Sequence, residues 1–112
     1  MTVRRISAEE LYEKVKKDNE MMFLDVRAEE KYKDYHIEEA SIKNINIPKN
    51  FIFENNEESI QSLPKNKEII VTCTTGNSAT KCANILSEKE YDVVVLDGGV
   101  TAWKSFLETK NE

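Results

Sequence analysis

Val93-Val94-Val95-Leu96 is an unbroken apolar run with polar residues on both sides. A strand with one wet face alternates apolar and polar residues. A run without alternation fits a strand covered on both faces. Amphipathic stretches lie before and after it. Ala79, Cys82, Ala83 and Leu86 fall at i, i+3, i+4 and i+7, one face of a helix. Val100, Trp103, Phe106 and Leu107 mark a last amphipathic helix beyond the Asp97-Gly98-Gly99 turn. Met22-Phe23-Leu24-Asp25-Val26 and Glu68-Ile69-Ile70-Val71-Thr72 read as further buried strands. Helices alternating with apolar strands imply βαβ units, and so an α/β fold with a parallel sheet.

The remaining segments are assigned from local signals. Ser7 and Glu10 form the two halves of a capping box, and Ile6 and Leu11 stand where a hydrophobic staple would close. The spacing predicts a helix from Ala8 to about Lys17. A short helix is expected from Glu29 to Tyr35. Ile45 and Ile47 alternate with polar residues before Pro48, which suggests a short strand. Residues 49 to 66 are polar, with a short helix expected from Glu57 to Ser62 and a turn at Pro64-Lys65-Asn66-Lys67.

At 112 residues the chain has length for one core but not two, so residues 1–112 are read as a single domain. The net charge of −5, with acids and bases interleaved, argues against nucleic acid as a partner, since backbone phosphates demand a basic patch. No basic amphipathic segment suits an anionic membrane, and no apolar run approaches a span. The first residues lack the apolar stretch of a signal peptide. Two cysteines nine residues apart then read as free thiols of a cytoplasmic protein.

One of those cysteines ends a strand. Val71-Thr72 runs into Cys73, and Thr74-Thr75-Gly76-Asn77-Ser78 leads into the next helix. Gly76 allows a sharp turn. The amides of residues 74 to 78 could then converge on the sulfur, and they and the helix dipole favour thiolate over thiol. Thr74, Thr75, Asn77 and Ser78 are small or polar, which leaves room for a small anion. A buried structural cysteine is the simpler alternative, and the glycine-bearing polar loop weighs against it.

Cys73-Thr74-Thr75-Gly76-Asn77-Ser78 resembles the active-site loop of the rhodanese-like domain family, in the form found in small single-domain bacterial thiosulfate sulfurtransferases. Three other segments match that family in order. They are Ile6 to Leu11, the Leu24-Asp25-Val26-Arg27 strand end with Tyr32 and His36-Ile37, and Val95 to Trp103 with its Gly-Gly-x-x-x-Trp pattern. The resemblance implies a three-layer α/β fold with a central, mostly parallel sheet flanked by helices. It implies Cys73 as catalytic nucleophile and Thr74, Thr75, Gly76, Asn77 and Ser78 as substrate-binding residues. Sulfane sulfur would pass from a donor such as thiosulfate, through a persulfide on Cys73, to a thiophilic acceptor. No cofactor and no metal are implied. The partners would be a small sulfur-containing anion, a thiol or a persulfide, with a sulfur-accepting protein as a further candidate. A persulfide carrier or redox-sensing module with little turnover is the alternative.

Ser78 stands where many members carry arginine. The phosphatases of this fold use a loop one residue longer with arginine six positions after the cysteine, where this chain has Ala79. Residues 74 to 80 hold no cation, which argues against phosphoryl transfer and describes an uncharged loop rim. Cys82 reads as a core residue, with a resolving thiol as the sharper alternative. His36 reads as structural. Asp25 and Arg27 read as an ion pair organising residues 27 to 37, with Glu30 a candidate third member, although Arg27 could add positive potential near an anion. No Cys-x-x-Cys or histidine pair supports a metal site.

Overall fold

The computed structural model describes residues 3 to 17, 20 to 39 and 42 to 110. Along them the elements are β1 (Arg4–Ile6), α1 (Ala8–Lys17), β2 (Met21–Asp25), α2 (Glu29–Asp34), β3 (Lys43–Asn46), α3 (Lys49–Phe53), α4 (Glu57–Ile60), β4 (Glu68–Thr72), α5 (Asn77–Glu88), β5 (Val93–Leu96) and α6 (Gly99–Lys110). The strands form one sheet in the order β1-β5-β4-β2-β3, with every pairing parallel.

The apolar runs occupy the middle of that sheet. Every residue of β5 is buried, as are Ile69 to Thr72 of β4. Their side chains alternate between two cores. Leu24, Ile69, Val71, Val93 and Val95 face α3, α4 and α5, where Ile52, Ile60, Ala79, Cys82 and Leu86 lie. Phe23, Ile70, Val94 and Leu96 face α1 and α6, where Leu11, Val100 and Trp103 lie. This is the three-layer arrangement expected of strands covered on both faces.

The order of the strands fixes where a ligand can bind. From β2 the chain goes outward to the edge strand β3. It then crosses back to β4 on the other side of β2, and β5 follows beyond. The direction of winding therefore reverses between β2 and β4, whose register runs Asp25 against Thr72. At such a point the connections leave in opposite directions and open a crevice beyond the carboxyl ends of the strands. Val26 and Arg27 leave one strand there, and Cys73 leaves the other.

Local signals set the helix ends. The Ser7 hydroxyl accepts from the Glu10 amide at 3.1 Å, and the Glu10 carboxylate accepts from the Ser7 amide at 2.9 Å. That reciprocal pair starts α1 at Ala8. Two elements depart from the sequence reading. Arg4–Ile6, to which the sequence reading gave no element, is an edge strand held on β5 with its arginines outside. Lys49–Phe53 is a short helix inside the segment read as polar; it buries Ile52 and leaves Phe51 and Phe53 exposed. The strand read around Ile45 and Ile47 runs Lys43–Asn46, and the Ile47 amide just beyond it still donates to the Asp25 carbonyl of β2.

Candidate functional site

Cys73 follows β4 directly and is 5 % exposed. The Gly76 amide donates to Sγ at 3.0 Å and the Ala79 amide at 3.3 Å. Ala79 lies in the first turn of α5, where backbone N–H groups have no partner within the helix. The convergence expected from residues 74 to 78 is thus made by one loop amide and one helix amide. Ala79, read only as a core position, supplies the second donor. Its side chain is fully buried, so no long cationic group could occupy that position without displacing the core.

The loop holds its shape through glycine. The chain has three glycines, and all three adopt positive φ at this site: Gly76 at 105°, Gly98 at 74° and Gly99 at 58°. Gly99 lies against the cysteine loop. A Cβ there would stand 2.2 Å from the Cys73 carbonyl oxygen and 2.7 Å from that of Thr74. The close approach lets the first amides of α6 serve the loop from below. The Val100 amide donates to the Cys73 carbonyl at 2.8 Å, and the Thr101 amide to the Thr74 carbonyl at 3.1 Å. The Gly98-Gly99 pair does more than turn the strand into a helix. It allows α6 to donate to the Cys73 and Thr74 carbonyls of the loop.

A cleft of about 430 Å³ opens over Cys73. Thr74, Thr75, Asn77 and Ser78 line it, as the sequence suggested, while Gly76 is buried beneath and contributes its amide. The opposite wall comes from two other segments. Val26, Arg27, Ala28 and Lys31 lead from the end of β2 into α2, and Pro48, Lys49 and Asn50 begin α3. The uncharged rim read from the sequence holds for the loop alone. The loop itself is neutral, but three basic residues from elsewhere in the chain stand around it. Lys49 Nζ lies 3.4 Å from the Ser78 hydroxyl. No local pattern announces this, because Lys49 and Ser78 meet only through the crossover between β3 and β4.

Arg27 is already engaged. Its guanidinium donates from Nη2 to Asp25 Oδ2 at 2.6 Å and from Nε to both carboxylate oxygens at 2.9 and 3.0 Å, and it also donates to the Tyr35 carbonyl. Asp25 is 1 % exposed and accepts the Arg27 amide as well. The pair thus ties the end of β2 to the end of α2, the organising role read from the sequence, with the Tyr35 carbonyl in the place considered for Glu30. The Asn46 amide group donates to the carbonyls of Asp25 and Arg27, and the Lys49 amide donates to the Val26 carbonyl. These bonds set where α3 starts, and so where Lys49 stands.

The other candidates lie outside the cleft. His36 stacks on Tyr32 with ring centroids 4.0 Å apart. Its Nδ1 is 2.8 Å from the Tyr32 carbonyl and its Nε2 is 3.0 Å from Glu38. Cys82 is fully buried in the α5 core, and burial above all pushes its thiol pKa up to about 12. Both cysteines are free. Among the described residues there is no group of three or more His, Cys, Asp or Glu side chains that could hold a metal ion, and no helix long and apolar enough to cross a membrane.

Residues 7–106 match the model of the rhodanese-like domain. Over 112 residues the chain is 30% identical to the Bacillus subtilis protein named Putative sulfurtransferase YtwF, covering 99% of this chain and 100% of that one. The BH2092 protein of Bacillus halodurans is similar in structure, with a TM-score of 0.78 and 32% identity, over 93% of this chain and 73% of that chain. A rhodanese-related protein of Thermoplasma volcanium matches with a TM-score of 0.76 and 29% identity, over 92% of each chain. A further match is a segment of an NAD-dependent persulfide reductase from A. fulgidus, with a TM-score of 0.65 and 30% identity. It covers 90% of this chain and 16% of that one.

Proposed function

The chain belongs to the rhodanese-like domain family, a sulfurtransferase-type family, and from that premise we propose that it transfers sulfane sulfur through a persulfide on Cys73. The observation that carries the reading is the pair of amides on Cys73 Sγ at the floor of the cleft, at 3.0 and 3.3 Å. Donors fixed on a sulfur favour its anionic form, the form that attacks.

With thiosulfate as donor the step balances. The Cys73 thiolate attacks the outer sulfur, and a new S–S bond forms at Sγ. The bond between the outer sulfur and the sulfonate sulfur breaks, its electron pair leaves with sulfite, and Cys73 keeps a persulfide anion. In the second step an acceptor attacks the terminal sulfur. Cyanide leaves as thiocyanate and restores the thiolate. A persulfide reaches one atom further into the cleft than a thiolate. There the rim hydroxyls of Thr74, Thr75 and Ser78 become candidate donors to the transferred sulfur, in the manner of an oxyanion hole. Phosphoryl transfer has no matching clamp, because Ala79 is buried and turns only its backbone to the sulfur.

A second reading keeps the persulfide but not the turnover. The likeness to a segment of a persulfide reductase favours a module that carries sulfur to a partner. One experiment separates the two. The purified protein is incubated with thiosulfate and cyanide, thiocyanate is assayed, and the peptide containing Cys73 is weighed for one added sulfur. Added sulfur with steady thiocyanate supports the transferase. Added sulfur with negligible turnover supports the carrier. Neither signal from thiosulfate, polysulfide or a low-molecular-weight persulfide overturns both.

A further inference from the structure

The cleft over Cys73 is more basic than the chain that builds it. Acids outnumber bases 21 to 16 in the sequence. Yet the cleft is lined by Arg27, Lys31 and Lys49 and by no carboxylate. Arg27 is compensated by the buried Asp25. Lys31 and Lys49 are both exposed, and neither has a carboxylate within ion-pair distance among the described residues. Some surface bases are paired, such as Arg4 with Glu68 and Asp92, Arg5 with Asp97, and Lys33 with Glu29; of the bases without an ion pair among the described residues, Lys31 and Lys49 are the ones that line the cleft. Two uncompensated ammonium groups at the mouth of a small cleft attract anions.

Lys49 is the better placed of the two. Its Nζ stands 3.4 Å from the Ser78 hydroxyl on the loop, and the hydrogen bond from the Lys49 backbone amide to the Val26 carbonyl fixes where its side chain leaves the backbone. Its charge also reaches inward to Cys82, where it opposes the effect of burial.

We propose that Lys49, assisted by Lys31, is a specificity-determining residue that selects sulfur donors whose leaving group is a dianion. The inference rests on the sulfur-transfer reading of Cys73 given above. As the donor S–S bond breaks, negative charge gathers on the departing sulfonate group, and the Lys49 ammonium offers it a charge-assisted partner beside the Ser78 hydroxyl. A donor with one oxygen anion replaced by methyl loses that contact but keeps its shape.

The test compares thiosulfate, a dianion, with methanethiosulfonate, its monoanionic methyl analogue. Wild type, Lys49→Met and Lys49→Arg are used, all at an exposed position where the fold should persist. Lys49→Met should lower the ratio of kcat/KM for thiosulfate over methanethiosulfonate about tenfold, chiefly through the thiosulfate KM. Lys49→Arg should keep the ratio within about threefold of wild type. A second readout does not depend on sulfur transfer. Lys49→Met should slow alkylation of Cys73 by iodoacetate about fivefold relative to uncharged iodoacetamide. If wild type takes sulfur from both donors and neither ratio moves in Lys49→Met, the assignment of Lys49 is overturned and sulfur transfer stands. If wild type takes no sulfur from any donor while the alkylation ratio still falls, the sulfur-transfer reading is overturned and Lys49 remains an anion-selecting group. If there is neither sulfur nor a change in alkylation, both fall.

Discussion

Cys73 and Cys82 are nine residues apart and both are buried, but their surroundings differ in kind. Cys73 lies where β4 gives way to a loop, so backbone amides with no helical partner turn toward its sulfur. Cys82 lies one turn further along α5, where every amide is already spent inside the helix. Its neighbours are the apolar faces of β4 and β5. Burial there only penalises charge and holds the thiol protonated, with a pKa near 12. The difference teaches that depth does not decide what a cysteine can do. The backbone donors left over where an element starts or ends do.

The largest effect should come from exchanging the two sulfurs for other atoms. Cys73→Ser should lower thiocyanate production at least about 10³-fold and remove the added sulfur seen by mass spectrometry. Cys82→Ala should leave both within about threefold and cost about 1 kcal/mol in urea denaturation for the small cavity it leaves. If Cys82→Ala abolishes turnover in a folded protein, the comparison breaks, because Cys82 would then be acting as a second thiol.

The support beneath the loop gives the next largest effect. Gly99→Ala puts a methyl group into the Cys73 carbonyl and forces a side chain into positive φ. It should cost about 3 kcal/mol or more, with loss of the Val100 and Thr101 bonds to the loop. Transfer activity should fall with it, while Cys82 stays unreactive, since the α5 core lies on the other face of the sheet from α6. Urea denaturation combined with alkylation mapping checks both halves. A Gly99→Ala protein of wild-type stability and activity would mean that α6 does not hold the loop.

Reactivity in the native state should separate the thiols more modestly. Cys73 opens on the cleft and Cys82 does not. At pH 8, iodoacetamide should label Cys73 at least about a hundredfold faster than Cys82, as followed by peptide mass mapping. Equal rates would place Cys82 within reach of solvent.

What the sequence made legible divides along the same line as these tests. Features set by neighbours in the chain were readable: the Ser7–Glu10 capping box, the buried β5, the α5 face and the turn at Gly76. So was the pairing of Asp25 with Arg27, two residues apart. Features made by distant segments were not. Lys49 stands 29 residues from Ser78, and only the crossover from β3 to β4 joins them. Helix α3 escaped notice because five residues beginning after Pro48, with two exposed phenylalanines, carry no amphipathic period. Strand β1 has one apolar residue in three. Its arginines are held by Asp92 and Asp97 at the two ends of β5, partners that local alternation cannot reveal. The family resemblance pointed to the loop, and Arg27 was weighed as a source of positive potential near an anion, but nothing in the sequence pointed to Lys31 or Lys49.

The smallest effect should appear in alkaline stability, and its sign follows from Cys82. Its thiol ionises at about 12 in the folded protein, above the ordinary value near 9. Above pH 9 the unfolded chain therefore releases this proton first, and ionisation favours unfolding. The stability contributed by keeping the thiol neutral is fully present below pH 9 and is lost as pH rises toward 12. Between pH 8 and pH 10.5 the wild type should lose about 2 kcal/mol more in urea denaturation than Cys82→Ala does. Comparing the two proteins cancels the tyrosines and lysines, which titrate in both. An identical alkaline loss in the two would mean that the thiolate at position 82 is tolerated in the folded core. The two cysteines would then differ only in access to the cleft, and the leftover amides at Cys73 would no longer distinguish them.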